Sequence, residues 1–228
     1  MAWWLVMARC TKEEAQETRN RIIDAAAEVF YTRGLAQSSL GDVAEAAQVT
    51  RGAIYWHFKN KSDLFDALCE RVRLPMESLM ATPLDAFKND PLGHLRHTWI
   101  YLLRDVAQNP QSRKILDILF LKCELVDRDD PIWERQHQCY LKGQENMQRI
   151  LTEAVVLEQL PADLDVRLAT LTLHGQKLGL LYNWLFSPTS FDLAAVAEPV
   201  IDACFDSLRY APSLRIKKNE AKKAEPKK

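Results

Sequence analysis

The sequence predicts an all-α protein, and three of its features support this prediction. Only seven of its 228 residues are glycine, so few positions favour irregular backbone. The helix-favouring residues Ala, Leu, Glu, Lys, Arg and Gln are plentiful. Apolar residues recur at three- and four-residue spacing, and no alternating run of Val, Ile or Thr indicates a strand. We expect one large domain or two small ones.

The first helix is predicted over residues 11–33. Thr11 and Glu14 form a capping-box pattern at its start, and Gly34 follows its end as a stop signal. Arg19 lies on the solvent side, where it is either a solvated charge or a phosphate contact. The buried stripe of this helix is formed by Ile22, Ala26, Val29 and Phe30.

Two short helices joined by a tight turn are predicted over residues 39–58. Ser39 and Thr50 supply hydroxyls that cap the two helices, and Val49 is the apolar residue that holds the turn to the core. The buried positions at helical spacing are Leu40, Val43, Ala44, Ala47, Ala53, Ile54 and Phe58.

The outward face of the second short helix carries Arg51, Gly52, Tyr55, Trp56 and His57. A helix that enters a DNA major groove needs donors for phosphates and side chains that reach base edges, and glycine lets the backbone approach a phosphate. The alternative is a helical hairpin inside an ordinary bundle, with half-buried aromatic residues. Spacing alone leaves both interpretations open.

The fourth helix begins after Lys59, with Asn60 or Ser62 as its cap. Lys59 and Lys61 at a helix N-terminus oppose the helix dipole, and a bound phosphate would remove this conflict. A plain loop is the alternative. Pro75 predicts a kink or break, and residues 74–84 are the expected boundary region. A three-helix core is closed by Leu64, Phe65, Leu68 and Val72.

Long amphipathic helices are predicted in the second half of the chain. A proline in the first turn after Asp90 marks the start of the first of them, and Pro199 predicts a bend in the last. Their expected spans are 90–106, 111–126, 132–158, 164–186 and 191–210. Residues 212–228 are expected to be a disordered basic tail.

The last two helices have wide apolar faces, which indicates a homodimer interface. Gly175 and Gly179 would permit close approach of a second helix. The alternative is that both helices complete the core of a single chain. The predicted interface residues are Leu180, Leu181, Trp184, Phe205 and Leu208.

Polar and aromatic side chains on otherwise apolar faces of the middle helices predict a ligand pocket. Each residue taken singly has a structural alternative, in an ordinary core or on the surface. The predicted lining residues are Leu79, Trp99, Leu103, Leu119, Cys123, Trp133, Gln136, Tyr140, His174 and Leu178.

The charge distribution limits how nucleic acid could be bound. The net charge of −1 divides into zero for residues 1–75, −6 for 76–211 and +5 for 212–228. The helix-turn-helix region is therefore not basic as a whole, and any phosphate-binding surface must be local or doubled by dimerisation.

Other function classes find little support in the sequence. Five scattered cysteines argue against a disulfide framework and indicate a reducing cytoplasm. His137 and His174 lack metal-ligand spacing, and no nucleophile motif or glycine-rich phosphate loop is present, so we expect no metal, no cofactor and no catalysis. The apolar start at residues 2–7 is too short to span a membrane and lacks signal-peptide flanks.

With these residues in place, the sequence resembles the TetR family of transcriptional regulators, especially the AcrR and TtgR type that controls multidrug efflux operons. The resemblance is carried by residues 11–19, 22–26, Phe30, Gly34 and 49–61, and more weakly by 119–124 and 183–193. This branch typically begins Met-Ala-Arg-Lys-Thr-Lys, which corresponds to residues 7–12 with Cys10 replacing lysine. Met7 is therefore the expected start, with residues 1–6 an extension. Leu121 stands where the branch often has histidine, so a pocket hydrogen bond is expected to be missing.

The resemblance implies a homodimer with an arm at 1–10, a helix-turn-helix DNA-binding domain at 11–73 and a helical ligand-binding and dimerisation domain at 74–211. The two DNA-binding domains of the dimer would occupy a palindromic operator. An apolar, aromatic or cationic drug-like inducer would release them by resetting the helix near Pro75. Together with the outward face, the expected DNA contacts are Ser39, Thr50, Arg51, Gly52, Tyr55, Trp56, His57, Lys59 and Lys61.

Two alternatives to this function remain open. One is a regulator of the same fold that serves lipid, quorum or stress signalling. The other is a helical-bundle interaction protein or an enzyme.

Overall fold

The computed structural model describes residues 12–81, 89–124 and 128–216. The predicted arm at 1–10, the cap at Thr11 and most of the basic tail lie outside the described residues, as does the end of the 74–84 boundary region.

The described residues are almost entirely helical, so the all-α prediction is confirmed. The only extended pairing among them is an isolated bridge between Leu164 and Arg215. The helices are α1 Lys12–Arg33, α2 Leu40–Ala46, α3 Arg51–His57, α4 Lys61–Ala81, α5 Pro91–Gln108, α6 Pro110–Leu121, α7 Pro131–Val156, α8 Val166–Phe186 and α9 Leu193–Tyr210, with a short 3₁₀ helix at Pro212–Leu214.

Helix α4 is not broken at Pro75, contrary to the alternative of a break there. The helix continues to Ala81, and Pro75 is exposed, so its ring faces solvent. A proline removes one backbone donor, and packing of the rest of the helix offsets that loss. Helix α9 likewise runs through Pro199 without interruption.

Helix α6 ends at Leu121, about five residues before the predicted end. The helix ends before Lys122, whose carbonyl and side-chain ammonium both form hydrogen bonds outside α6. Its carbonyl accepts a hydrogen bond from the Leu35 N–H at 3.1 Å, and its ammonium donates to the Tyr31 carbonyl at 2.7 Å.

The contacts within the chain divide it into two compact units. One comprises Met1–Val72 with Lys114–Ile132, and the other Arg73–Arg113 with Trp133–Lys228. The inclusion of Lys114–Ile132 in the first unit was not foreseen from the sequence. The domain boundaries proposed from the sequence remain predictions.

The core of the first unit is built from the stripe predicted for α1. Phe30 and Phe65 meet edge to face at 6.3 Å between ring centroids, and Ile22 and Ile54 are fully buried. Ile118 of α6 completes this core. Each such side chain contributes about 1.5–3 kcal/mol by leaving water, which holds the short helices α2 and α3 in place.

The second unit is organised around α5, α8 and α9. Helix α9 packs against both α5 and α8, and Trp99, Leu103, Leu173 and Phe205 are buried between them. The guanidinium of Arg96 on α5 donates to Asp202 and Glu198 on α9 at the rim. In the part of the chain that the structure describes, none of the helices is long and apolar enough to cross a bilayer.

Candidate functional site

The turn between α2 and α3 is fixed by its backbone. Gln48 adopts a φ of 55°, in the left-handed region that favours glycine. The next N–H, of Val49, donates to the Ala44 carbonyl at 3.0 Å, and the Val49 side chain packs against the core. The predicted role of Val49 in holding the turn is confirmed.

Both predicted caps are present. The Ser39 hydroxyl accepts from the Asp42 N–H at 3.2 Å, and the Thr50 hydroxyl accepts from the Ala53 N–H at 3.1 Å. Asp42 in turn accepts from the Ser39 N–H at 2.9 Å, which completes a capping box not foreseen from the sequence. Hydrogen bonds from Ser39, and then the charge of Arg33, lower the pKa of Asp42.

Helix α3 separates its faces sharply. Ile54 and the following Phe58 are buried, whereas Tyr55 is 58% exposed and Trp56 is 72% exposed. Two large aromatic side chains side by side in water form a surface that is typical of a binding site. The structure thus places the predicted aromatic residues on an accessible face.

The surface around Gly52 is open. A Cβ added at Gly52 would meet only the Thr50 hydroxyl, at 3.9 Å, so the chain itself does not require glycine there. The Arg51 guanidinium lies over the first turn of α2, because a Cβ added at Gly41 would stand 3.6 Å from its Nη2. A partner could therefore approach the α3 backbone beside a guanidinium.

The cations near α3 differ in their surroundings. Arg51 and Lys59 are exposed, and none of the carboxylates among the described residues forms an ion pair with them. Lys61 is different, because its ammonium donates to the carbonyls of Leu35 at 2.8 Å and Ser38 at 3.0 Å. These bonds tie α4 to the α1–α2 connection, a structural role that the sequence did not reveal. Its contact with DNA remains a prediction.

The start of α4 resolves the expected conflict with the helix dipole. Asn60 is the cap, since its side-chain oxygen accepts from the Asp63 N–H at 2.8 Å. Because carbonyl oxygens already surround the Lys61 ammonium, no phosphate is needed to stabilise the positive charge there.

The surroundings of His57 favour its uncharged form. Burial, and then the charge of Arg19, lower the pKa of His57. The Arg19 guanidinium lies 5.2 Å above the Phe58 ring, and the His57 ring meets Trp56 edge-on at 4.5 Å. A neutral imidazole offers one hydrogen-bond donor and one acceptor, so His57 suits base or hydroxyl contacts better than phosphate neutralisation.

The predicted ligand-lining residues are divided between the two units. Leu119 and Cys123 pack against the core of the first unit, and burial raises the pKa of the Cys123 thiol to about 11. The other eight belong to the second unit. The structure does not place these two residues in the same compact unit as the rest, and the pocket as a whole remains a prediction.

Aromatic rings of the predicted set do meet in the second unit. Trp133 stacks on His137 at 4.7 Å, and His137 faces Tyr140 at 6.5 Å along α7. Tyr140 meets His174 of α8 edge-on at 5.3 Å. Burial, and then the charge of Lys177, lower the pKa of His174, which favours the neutral form of its ring.

Lys177 is a residue that sequence reasoning missed. Its ammonium lies 5.0 Å from the centre of the Trp99 ring, which also meets Phe205 edge-on at 5.9 Å. Burial lowers the pKa of Lys177 to about 8. The available signal was its isolation, because Lys177 is the only charged residue of α8 after Arg167.

A separate polar pocket of about 480 Å³ lies in the second unit, beside α5 and α9. Its charged groups are already engaged, since Arg96 binds Asp202 and Gln159 donates to Asp90 at 2.6 Å. None of the predicted ligand residues lines it. Its lining comprises Asp90, Leu92, Gly93, Arg96, Gln159, Asp202, Phe205 and Arg209.

Four of the five predicted dimer-interface residues are covered by their own chain. Leu181, Trp184, Phe205 and Leu208 are buried, and the Arg113 guanidinium lies 4.8 Å above the Trp184 ring. For these four, the alternative of completing the core describes the structure, because α9 packs against both α5 and α8. Leu180 is half-buried.

A different face of α8 is exposed. Tyr182 and Phe186 stack at 6.1 Å between ring centroids and are exposed, as is Leu171. A Cβ added at Gly175 or Gly179 would meet nothing within 4 Å. Successive steps of three and four residues place all five on one stripe of the helix, which we call the α8 stripe.

A capped two-helix unit with an exposed aromatic and cationic helix face defines a DNA-binding transcriptional regulator of the helix-turn-helix class. Comparison with known proteins narrows this class. The profile of the tetR family of bacterial regulatory proteins matches residues 22–68, and that of the C-terminal region of MAATS-type transcriptional repressors matches residues 90–210. The chain belongs to the TetR family.

Its relatives include regulators of drug efflux. The transcriptional regulator AcrR of Shigella flexneri is 39% identical over 209 residues, which cover 92% of this chain and 97% of AcrR. The crystal structure of NalD, the secondary repressor of the MexAB-OprM multidrug efflux pump of Pseudomonas aeruginosa, matches with a TM-score of 0.77 and 32% identity, over 88% of this chain and all of that one.

A third relative was solved with a small molecule bound. The complex of SmeT with triclosan matches with a TM-score of 0.75 and 29% identity, over 86% of this chain and 93% of that chain. SmeT is the repressor of the Stenotrophomonas maltophilia pump SmeDEF. Members of the TetR family are transcriptional regulators and not enzymes, so the enzyme alternative is set aside.

Proposed function

We propose that this chain is a dimeric, cytoplasmic repressor of a multidrug efflux operon that binds a palindromic operator and is released by a small hydrophobic or aromatic inducer. The observation that carries the proposal is the α3 face, where Tyr55 and Trp56 are exposed beside the open backbone of Gly52. The efflux target is supported by AcrR, NalD and SmeT, whose similarity extends over most of both chains.

The residues of the α3 face have two proposed roles: some position the protein on the DNA backbone, and others read the base sequence. Arg51 and Lys59 are exposed cations without ion-pair partners among the described residues, so they suit phosphate contacts that fix register. Tyr55 and Trp56 offer flat apolar surface with a polar group, which suits thymine methyl groups and base edges. Ser39 and Thr50 lie at the N-terminal ends of α2 and α3, where backbone donors also suit phosphate.

The α8 stripe is the proposed dimer surface. Its exposed aromatic pair gives apolar area to bury, and the open space at Gly175 and Gly179 allows a second helix to approach closely. A dimer presents two α3 faces, which compensates for the neutral charge of the helix-turn-helix region. Phe186→Glu together with Tyr182→Glu should give monomers in size-exclusion chromatography. A dimer that persists would reject this surface.

The second unit is the proposed inducer-binding part. It contains most of the predicted ligand-lining residues, including the ring cluster of Trp133, Tyr140 and His174. A relative of similar fold binds triclosan, an aromatic molecule, which supports an aromatic inducer for this chain.

Operator binding tests the proposal directly. We expect Arg51→Ala and Tyr55→Ala each to abolish a gel shift on DNA from the promoter regions of the gene and its neighbouring operon, with the dimer intact. Tyr210→Ala is the matched control, because Tyr210 is also an exposed tyrosine but lies at the end of α9. Undiminished affinity in both α3 variants would contradict the assignment of this face.

A promoter footprint measured with and without efflux substrates tests the regulatory part. Protection of the region upstream of a pump operon, lost on adding a substrate of the pump, is the expected result. Protection of a lipid or quorum-signalling promoter instead would show that this regulator controls another pathway.

A further inference from the structure

Lys177 is a partly buried cation of the second unit. Its ammonium lies 5.0 Å from the centre of the Trp99 ring, and burial lowers its pKa. Among the described residues, none of the carboxylates pairs with it. The residue keeps some exposed surface, so molecules from solvent can reach it.

The contact with Trp99 does not replace the water that the ammonium has lost. A cation over an indole ring recovers only a small part of the free energy of hydration. Removing an ammonium from water carries a larger cost unless an anion and hydrogen-bond acceptors replace the solvent. We therefore expect the Lys177 ammonium to favour binding of a negatively charged group.

The neighbouring residues supply aromatic walls and no counter-charge. His174 is one turn before Lys177 on α8, and it repels the ammonium when protonated. The Tyr140 ring packs edge-on against His174 at 5.3 Å. One turn further along α7, the buried Nε2 of Gln144 is a donor with no acceptor among the described residues. The unsatisfied groups in this region are donors, which suits a ligand rich in acceptors.

We propose that Trp99, Tyr140, His174 and Lys177 form a subsite for an aromatic anion, whose carboxylate or phenolate binds the Lys177 ammonium. The subsite rests on the proposed function of the second unit as the inducer-binding part. It also narrows the class of inducer, because Lys177 disfavours the cationic drug-like ligands that the family resemblance allows.

Isosteric probes test the charge requirement. Naphthalene-2-carboxylate, naphthalene-2-carboxamide and 2-naphthylmethylammonium share one ring system and differ in charge. Titration calorimetry with the full chain should show the carboxylate binding about tenfold to a hundredfold more tightly than the amide, as a charge-assisted hydrogen bond requires. The ammonium probe should bind more weakly than the amide.

Variants assign the preference to Lys177. Lys177→Met should remove the preference for the carboxylate while leaving amide binding within about twofold, which is well under 1 kcal/mol. Lys177→Arg keeps the charge and should retain the preference. Lys142→Met is the control, because the Lys142 side chain on α7 is 74% exposed, and it should change nothing.

The outcomes separate this subsite from the function of the whole protein. Equal affinity for the three probes, no measurable binding of the carboxylate, or a preference that survives in Lys177→Met would overturn the subsite. Operator binding is measured on the same preparations. Intact operator binding without a charge preference leaves the repressor function standing, whereas loss of operator binding in the unsubstituted protein would refute that function itself.

Discussion

Replacing Lys177 with methionine should stabilise the protein when no ligand is bound. The substitution keeps the length of an unbranched side chain and removes a buried charge from beside Trp99. Burial lowers the pKa of Lys177 from 10.5 to about 8, which corresponds to roughly 3 kcal/mol of destabilisation by the charged form. Loss of the cation–π contact with Trp99 lowers the gain in stability by about 1–2 kcal/mol. We therefore expect a net gain of roughly 1–2 kcal/mol at pH 7.

The stability difference between the parent protein and Lys177→Met should change with pH, which a difference in packing alone would not produce. Between pH 8 and 10.5 the unfolded chain holds a proton on Lys177 that the folded chain has released. Stability rises with pH wherever the unfolded state binds more protons, so the parent protein should gain stability across this window. Below pH 8 both states are protonated and the penalty is constant. The advantage of Lys177→Met should therefore shrink as the pH rises from 8 to 10.5.

Urea unfolding of both proteins at pH 7 and at several values up to 10.5 measures the difference, with the protein concentration held equal because a dimer is expected. Raised thiol pKa values at Cys123 and Cys204 give an opposing slope, but both proteins share it and the difference removes it. The control is Lys142→Met on the surface. A variant that is less stable at pH 7, or a difference that does not change with pH, would refute the argument.

Three further substitutions test the helix-turn-helix unit. Gln48→Gly should raise stability in thermal melts by about 1 kcal/mol, because its φ of 55° strains a side chain; a lower melting temperature would contradict this. Lys61→Met should lower the melting temperature by removing the bonds to the Leu35 and Ser38 carbonyls, whereas Lys59→Met should leave it unchanged; equal melting temperatures would mean that those bonds contribute nothing. Gly52→Ala should stabilise α3 by about 0.5–1 kcal/mol and yet weaken operator binding in fluorescence anisotropy; unchanged affinity would show that no partner approaches that backbone.

Local patterns in the sequence were sufficient for the two short helices α2 and α3 of the first unit. Ser39 and Thr50 cap their helices with neighbouring N–H groups, and Ile54 and Phe58 are buried at the expected spacing. These features depend on residues within one or two turns, so their spacing along the chain specifies them. The same holds for the exposure of Tyr55 and Trp56, since they occupy the face opposite Ile54.

Long-range contacts were beyond such patterns. The bonds from Lys61 to the α1–α2 connection and from Lys122 to Tyr31 join residues far apart in the sequence. The burial of Lys177 depends in the same way on helix α5, which supplies Trp99. Apart from the isolation of Lys177 on α8, nothing in the sequence distinguishes these lysines from solvated ones, because a lysine stem suits either environment.

Helix α8 shows a second limit of periodicity. It is apolar nearly all round, so its sequence does not indicate which face meets the core. The sequence assigned Leu181 and Trp184 to a partner, but they are buried in their own chain, while Tyr182 and Phe186 are exposed. Only the packing of α9 against α8 separates the inner face from the outer one.

The continuity of α4 restricts how an inducer could weaken operator binding. The helix contributes Leu64 and Leu68 to the core of the first unit and continues past Arg73, where the second unit begins. Because α4 is continuous through Pro75, the proposed release by an inducer does not require a break at the proline. By linkage, an inducer that weakens operator binding by some factor must itself bind the operator complex more weakly by the same factor. Inducer titrations of the protein, free and saturated with operator, should return equal factors, and unequal ones would mean that more than one inducer or operator complex is being measured.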